Sequence, residues 1–244
     1  RDCLLSRGLG DVYKRQVLGK RVNTFLGEAN HVVFQTEDAK AYFSPEVQAK
    51  GVIIPNPIKQ DLPEPFTGKR RKEIVNFCRL NKQKNLPLLF EAFEKLHTQF
   101  PEYTLKIYGR GELREELERC IKKNKQDTYI VIEDFAKDIH ERIKDAAMYV
   151  SSSDFEGISN SMLEAMAIGL PVVCTDCPAG GARMMIKNGE NGLLVPIRDA
   201  EALYQAMKYL IEHPDKAELI SRESVHIKER LSEEKICQRW AGMI

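Results

Sequence analysis

Short runs rich in β-branched and aromatic residues alternate with helical stretches over most of this chain, and that alternation admits few folds. Residues 73–79 (EIVNFCR), 103–108, 129–132, 147–151, 171–174 and 192–196 read as strands. Between the first two lies a helix that Asn85 can cap, with Leu86, Leu89, Phe90, Phe93 and Leu96 at helical spacing. Further helices are predicted over 112–123, 138–145, 161–168 and 181–187. From Asp199 onward the chain reads as helical, with Ala200, Leu203, Met207 and Leu210 on one buried face. Strands joined by helical crossovers run parallel with right-handed connections, so the fold class is α/β, a doubly wound parallel sheet. Such sheets take ligands beyond the carboxyl ends of their strands, which directs attention to the loops that follow strands.

Upstream, 31–36 (HVVFQT) and 51–57 (GVIIPNP) read as two more strands with a charged helix over 37–43 between them. Residues 59–72 contain Pro63, Pro65, Gly68 and the basic cluster Lys69, Arg70, Arg71 and Lys72, the signature of an interdomain linker. The cluster reads as a solvated hinge in preference to a lipid contact. The organisation expected is a remnant of one domain over 17–58, a linker over 59–70, a second domain over 71–232 and a terminal helix over 233–244.

Composition excludes several classes. A net charge of +1 gives no excess to neutralise phosphates, so a nucleic-acid partner is not expected. With 43% hydrophobic residues the chain is not a disordered one. The longest apolar stretch, 165–174, is broken by Gly169 and Pro171 and falls short of the roughly 18 residues of a membrane span. Six cysteines without an apolar leader read as reduced thiols of a cytoplasmic protein. Residues 6–16 (SRGLGDVYKRQ) resemble a translated sequencing adapter of the transposon-insertion type, since DVYKRQ back-translates to GAT GTG TAT AAG AGA CAG. Residues 1–16 are therefore expected to be an artefact, with native sequence beginning near Val17.

Three strand-end loops carry the chemistry. In the first, Arg79 and Lys84 bracket a strand-to-helix turn, and two cations beside a helix N-terminus suit a diphosphate; on spacing alone they are equally well surface charges. In the second, Gly109-Arg110-Gly111 lets a ligand approach the backbone, or is an ordinary turn. The third runs from Ser151 to Pro171 and holds two acids, Glu156 in the loop and Glu164 in a helix whose N-cap is Ser161. Ser161-x-x-Glu164 reads as a capping box, a structural role. Alternatively both carboxylates face one cleft, where they suit sugar hydroxyls while the N–H groups of Gly157, Ile158, Ser159 and Asn160 suit phosphate.

Glu156 and Glu164 match the E-x7-E motif of the retaining GT-B glycosyltransferases called family 4, whose domains are Rossmann-like. Phe77-Cys78-Arg79-Leu80 with Lys84-Asn85 resembles the family's G-R-L…K-N segment, and Tyr108-Gly109-Arg110-Gly111 its G-x-G turn. Leu163-Glu164-Ala165-Met166-Ala167, Gly169-Leu170-Pro171 and the stretch 175–196 are similar to the rest of its C-terminal domain. Cys78 departs from the family's usual glycine before the arginine, and Asp134 stands where a glycine is frequent. The resemblance implies roles. Glu156 holds donor-sugar hydroxyls and steadies the reacting centre. Glu164 holds the ribose. Arg79 and Lys84 grip the diphosphate. Gly109, Gly111 and the 157–160 backbone line the donor, and the segment near Phe135 lies beside the base.

The activity implied is transfer of a hexose from a nucleotide-sugar donor, a uridine-diphosphate sugar, to a glycan or polyprenyl-linked acceptor of bacterial surface-polysaccharide assembly. No Asp-x-Asp motif occurs, so no metal and no other cofactor is expected. The implied setting is the cytoplasm, with peripheral contact at the inner face of the membrane. A missing N-terminal domain would supply the acceptor site, and the fragment alone is expected to be inactive. Two other readings are a donor-binding subunit that works with a separate acceptor subunit, and a nucleotide-sugar epimerase. Cys174-x-x-Cys177 reads as loop sequence, the five His form no ligand set, and Trp240 is a packing residue awaiting a partner.

Overall fold

The computed structural model describes Leu26 and residues 28–242. The adapter-like stretch and the expected start at Val17 lie outside the described residues. Two parallel strands, β1 (Val32–Phe34) and β2 (Gly51–Ile53), form a small sheet connected through α1 (Glu37–Ala41) and α2 (Pro45–Ala49). Thr36 starts α1 by accepting from the Ala39 N–H at 3.1 Å.

The main sheet contains β3 (Arg71–Phe77), β4 (Thr104–Tyr108), β5 (Ile130–Glu133), β6 (Ala146–Ser151), β7 (Val172–Thr175) and β8 (Leu193–Val195). They pair in the order β5-β4-β3-β6-β7-β8, all parallel. The helices are α3 (Leu86–Gln99), α4 (Arg114–Lys123), α5 (Ile139–Ile143), α6 (Asn160–Ala167), α7 (Gly181–Met185), α8 (Ala200–Glu212), α9 (Pro214–Ser224), α10 (Ile227–Arg230) and α11 (Glu233–Ala241). This is the doubly wound α/β class expected from the alternation.

Strand side chains point alternately to the two faces, and each face carries its own apolar core. Ile74, Leu105 and Ile107 pack with Leu89, Phe93, Leu203 and Met207 on one side. Val75, Phe77 and Tyr149 pack with Ile143, Met162, Met166 and Ile236 on the other. From β3 the chain moves outward to β4 and β5, then crosses back to β6 and continues the opposite way. The connections after β3 and β6 therefore diverge to opposite faces, and a crevice opens beyond the ends of these two strands.

In the basic cluster at the end of the proline-rich stretch, Lys69, Arg71 and Lys72 are exposed, but Arg70 is not a solvated charge. Arg70 is half-buried and donates to the carbonyls of Lys144, Ala146 and Gly169 (3.1, 3.1 and 2.6 Å) and to Ser221 Oγ at 3.1 Å. Arg71 makes a paired contact with both Asp145 oxygens at 2.8 Å and reaches Glu73 at 3.0 Å. The planar guanidinium matches several fixed acceptors at once, which charge counting along the sequence does not reveal.

Replacing Arg70 by Met leaves those carbonyls without their donor and should cost about 3 kcal/mol, read from urea unfolding. Arg71 holds the Asp145 carboxyl below the ordinary carboxylate range. The resulting stabilisation is fully present above the ordinary carboxylate value, about pH 4, and is lost as pH falls from there through the lowered folded-state value. Asp145→Asn should therefore flatten the acid limb of a stability–pH curve; an unchanged limb would contradict this role.

Candidate functional site

The loop after β3 runs backbone to backbone along the loop after β4. The Cys78 N–H donates to the Tyr108 carbonyl at 3.0 Å and the Leu80 N–H to the Arg110 carbonyl at 2.9 Å. A Cβ on Gly109 would lie 2.0 Å from the Cys78 oxygen, and one on Gly111 2.2 Å from the Leu80 oxygen. Chain-on-chain contact thus requires both glycines, a demand separate from ligand approach. Arg79 projects from this loop, exposed, and its side chain has no hydrogen bond or ion pair among the described residues.

Residues Lys82–Lys84 form a 3-10 turn, and Asn85 takes a left-handed conformation (φ 43°) before α3. The expectation that the Asn85 side chain caps this helix is corrected. Left-handed backbone aims the amide elsewhere, and its Nδ2 donates to Asp154 Oδ1 at 2.9 Å.

That bond is one of several joining the loop after β3 to the loop after β6. Ser152 Oγ meets the Lys84 and Asn85 carbonyls at 2.9 and 3.1 Å. The Asp154 N–H donates to the Gln83 carbonyl, and Gln83 Nε2 to the Phe155 carbonyl, both at 2.9 Å. Across this seam the Lys84 ammonium pairs with Glu156 Oε2. Their side chains are 14% and 21% exposed, so the pair is largely desolvated yet still open to a ligand.

Below the seam, the Glu156 N–H donates to the Pro178 carbonyl at 3.1 Å, and Thr175 Oγ1 holds the Ser153 carbonyl at 2.7 Å. Gly181 at the start of α7 packs so tightly on the loop that a Cβ there would sit 1.7 Å from the Gly157 oxygen. The backbone at Gly157 and Ile158 is therefore fixed from beneath. Asp38 of α1 reaches the same edge through Arg183 at 3.0 Å, and Arg183 also holds Asp176 at 2.6 Å.

The capping-box expectation for Ser161 and Glu164 is also corrected. The cap of α6 is Ser159, whose backbone is extended (φ −76°, ψ 118°) and whose Oγ accepts from the Met162 N–H at 3.4 Å. Asn160 is the first helical residue, so Glu164 lies beyond the first turn and cannot reach back to the cap. Its Oε2 instead accepts from His140 Nε2 at 2.9 Å. Ser161 bonds to Ser159 Oγ and to the Tyr149 hydroxyl, each at 3.0 Å.

Of the residues singled out from the sequence, Lys84 and Glu156 are in direct contact. Gly109 and Gly111 brace the Arg79 loop; Gly157 and Ile158 rest on α7; Ser159 and Asn160 open α6. No hydrogen bond joins Glu164 or Arg79 to the Lys84–Glu156 pair. Phe135 stands 56% exposed after β5, beside Asp134, whose carboxylate pairs with Arg114 at 3.0 Å. Sequence reasoning missed Asp154, Gln83 and His140. Asp154 was legible as a third acid in the same loop; His140 was passed over because it sits in no ligand cluster. Trp240 is 48% exposed, while its neighbour Arg239 donates to the Ile53 carbonyl at 2.6 Å, tying the last helix to β2.

Three thiols lie near the pair. Burial pushes Cys78 up to about 12, Cys177 up to about 11, and Cys174 further up. They behave as small apolar residues rather than nucleophiles.

A family model described as glycosyl transferases group 1 matches residues 71–213. The chain is 26% identical to an uncharacterized glycosyltransferase of Haemophilus influenzae, covering 97% of this chain and 69% of that protein. It is 33% identical over 141 residues to an N-acetylgalactosamine-N,N'-diacetylbacillosaminyl-diphospho-undecaprenol 4-alpha-N-acetylgalactosaminyltransferase of Campylobacter jejuni, covering 58% of this chain and 38% of that one. Among solved structures, Anabaena HepE in complex with UDP superposes with a TM-score of 0.84 at 20% identity, over 98% of this chain and 69% of that one. That likeness is one of fold, the doubly wound sheet of GT-B proteins. The chain spans only part of each of these relatives, from 38% to 69%.

With their thiols raised well above neutral, Cys78, Cys174 and Cys177 should resist iodoacetamide at pH 7.5 in the folded chain, while the exposed Cys237 is alkylated. Peptide mass spectrometry after timed labelling checks this. Fast labelling of Cys78 would contradict its raised thiol.

Proposed function

Since the chain belongs to the glycosyl transferases group 1 family, we propose that it is the donor-binding half of an enzyme that moves a hexose from a uridine-diphosphate sugar to a glycan or polyprenyl-linked acceptor. The domain proposed to bind the donor is 71–232. Residues 17–58 are a remnant of the preceding domain, 59–70 the connection, and 233–244 the terminal helix. The single observation that carries the reading is the Lys84–Glu156 pair across the β3–β6 crevice, with Arg79 exposed on the same loop as Lys84.

The chemistry follows from charge. Breaking the bond between the anomeric carbon and the diphosphate oxygen sends its electron pair to the diphosphate. The anomeric carbon gains positive character. Arg79 and Lys84, with N–H groups of the 157–160 backbone, offset the charge on the leaving group. No metal or other cofactor is needed for that step. Glu156 accepts hydroxyls of the donor sugar and steadies the developing cation. The acceptor hydroxyl enters on the face the diphosphate leaves, and its proton passes to a diphosphate oxygen, so configuration is retained.

A uridine nucleotide is supported by the HepE complex, and a polyprenyl-linked acceptor by the undecaprenol of the Campylobacter relative. Glu164 is assigned to the ribose, the exposed ring of Phe135 to the base, and Gly109 and Gly111 to the shape of the donor cleft. The acceptor falls to the N-terminal domain of the parent enzyme, which works at the inner face of the membrane.

Titration calorimetry of UDP into the chain should give saturable binding that Arg79→Ala and Lys84→Ala each weaken by about tenfold or more. In the full-length parent, Glu156→Gln should lower turnover by about 10²-fold or more without abolishing nucleotide binding. Full turnover after Arg79→Ala would remove that residue from the site. Activity lost on treatment with EDTA and restored by a divalent cation would overturn the metal-free step.

A further inference from the structure

His140 is a buried titratable side chain, 7% exposed, that the chemistry above does not use. It lies in α5, on the element that leads into β6, and its Nε2 stands 2.9 Å from Glu164 Oε2. A carboxylate only accepts, so the imidazole donates through Nε2–H. The ring cannot easily turn away. It meets the edge of Phe77 at 5.8 Å and 89°, and Phe77 in turn meets Tyr149 at 5.3 Å and 66°. The Tyr149 hydroxyl bonds to Ser161 on the helix that carries Glu164. Imidazole and carboxylate are thus fixed to one packed unit.

The other oxygen, Glu164 Oε1, has no hydrogen-bond partner among the described residues, and the side chain is 21% exposed. We propose that His140 is a positioning residue: by holding Oε2 it fixes the rotamer of Glu164 and leaves Oε1 as the open acceptor for the two ribose hydroxyls of the nucleotide. This rests on the nucleotide-sugar reading. A carboxylate on a flexible side chain would pay rotamer entropy each time it met a hydroxyl; one held by a buried donor has met that cost in folding.

The test uses the 244-residue chain and two probes, UDP and 2′,3′-dideoxyuridine 5′-diphosphate, followed by calorimetry. Wild type should bind UDP more tightly than the dideoxy analogue. His140→Phe keeps a ring against Phe77 but lacks the donor. It should weaken UDP by about tenfold, the weight of one charge-assisted hydrogen bond, and leave the dideoxy analogue unchanged. His140→Gln restores a donor and should recover UDP affinity to within about threefold. His140→Leu, checked by thermal unfolding, serves as a second donor-free variant in case the Phe variant does not fold. Equal weakening of both probes would mean a merely structural role and would overturn the proposal, as would unchanged UDP affinity in both donor-free variants. Wild type binding both probes equally would remove the ribose from Glu164 and His140 alike. Absence of UDP binding by wild type would instead strike the nucleotide reading itself.

Discussion

Two loops that leave neighbouring parallel strands have nothing from the sheet to hold them together, because the ladder stops where the strands end. Here the loops after β3 and β6 are stitched by their own polar groups. Asn85 meets Asp154, Gln83 meets the backbone at 154 and 155, and Ser152 holds the carbonyls of Lys84 and Asn85. Most of these bonds involve a main-chain group, so the distance between the loops is fixed before any ligand arrives. The Lys84–Glu156 pair spans the resulting seam. In the proposed transfer step, charges preorganised in this way stabilise the transition state without having to reorient when it forms.

The rest of the fold serves that seam from below. Divergent crossovers after β3 and β6 open the crevice. Gly109 and Gly111 let the neighbouring loop press against the one carrying Arg79, and Gly181 does the same beneath Gly157. Half-buried Cys78 and buried Cys174 and Cys177 pack the space near the pair with small side chains. Arg70 works at a distance, pinning the chain entering β3 to the carbonyls of 144, 146 and 169.

The fold class was legible because alternation of strand and helix is a property of whole segments. Errors of one or two residues at the ends of the six main-sheet strands left that sheet intact, whereas the strand expected over 51–57 stops at Ile53. The start of α6 drifted because two residues of the same chemistry compete. Ser159 and Ser161 are both competent caps, and only the backbone conformation around 159 decides between them. The same choice takes Glu164 out of a capping role and aims it at His140. The Asn85 side chain makes no cap bond for a related reason, since a left-handed residue turns its side chain toward the loop after β6, far away in sequence. Arg70 shows the limit of charge patterns. Four consecutive basic residues look solvated, yet one of them finds four acceptors brought together by tertiary structure. The pairing of Lys84 with Glu156 depends on β3 lying beside β6, a consequence of strand order that spacing along the chain does not contain.

The proposed chemistry requires a diphosphate at one location. A crystal structure of the chain soaked with UDP locates it directly. Phosphate oxygens are expected within hydrogen-bond reach of Arg79 and Lys84 at the mouth of the β3–β6 crevice, with the ribose toward Glu164. A nucleotide seated elsewhere on the molecule, with the Lys84–Glu156 seam undisturbed and empty, would contradict it.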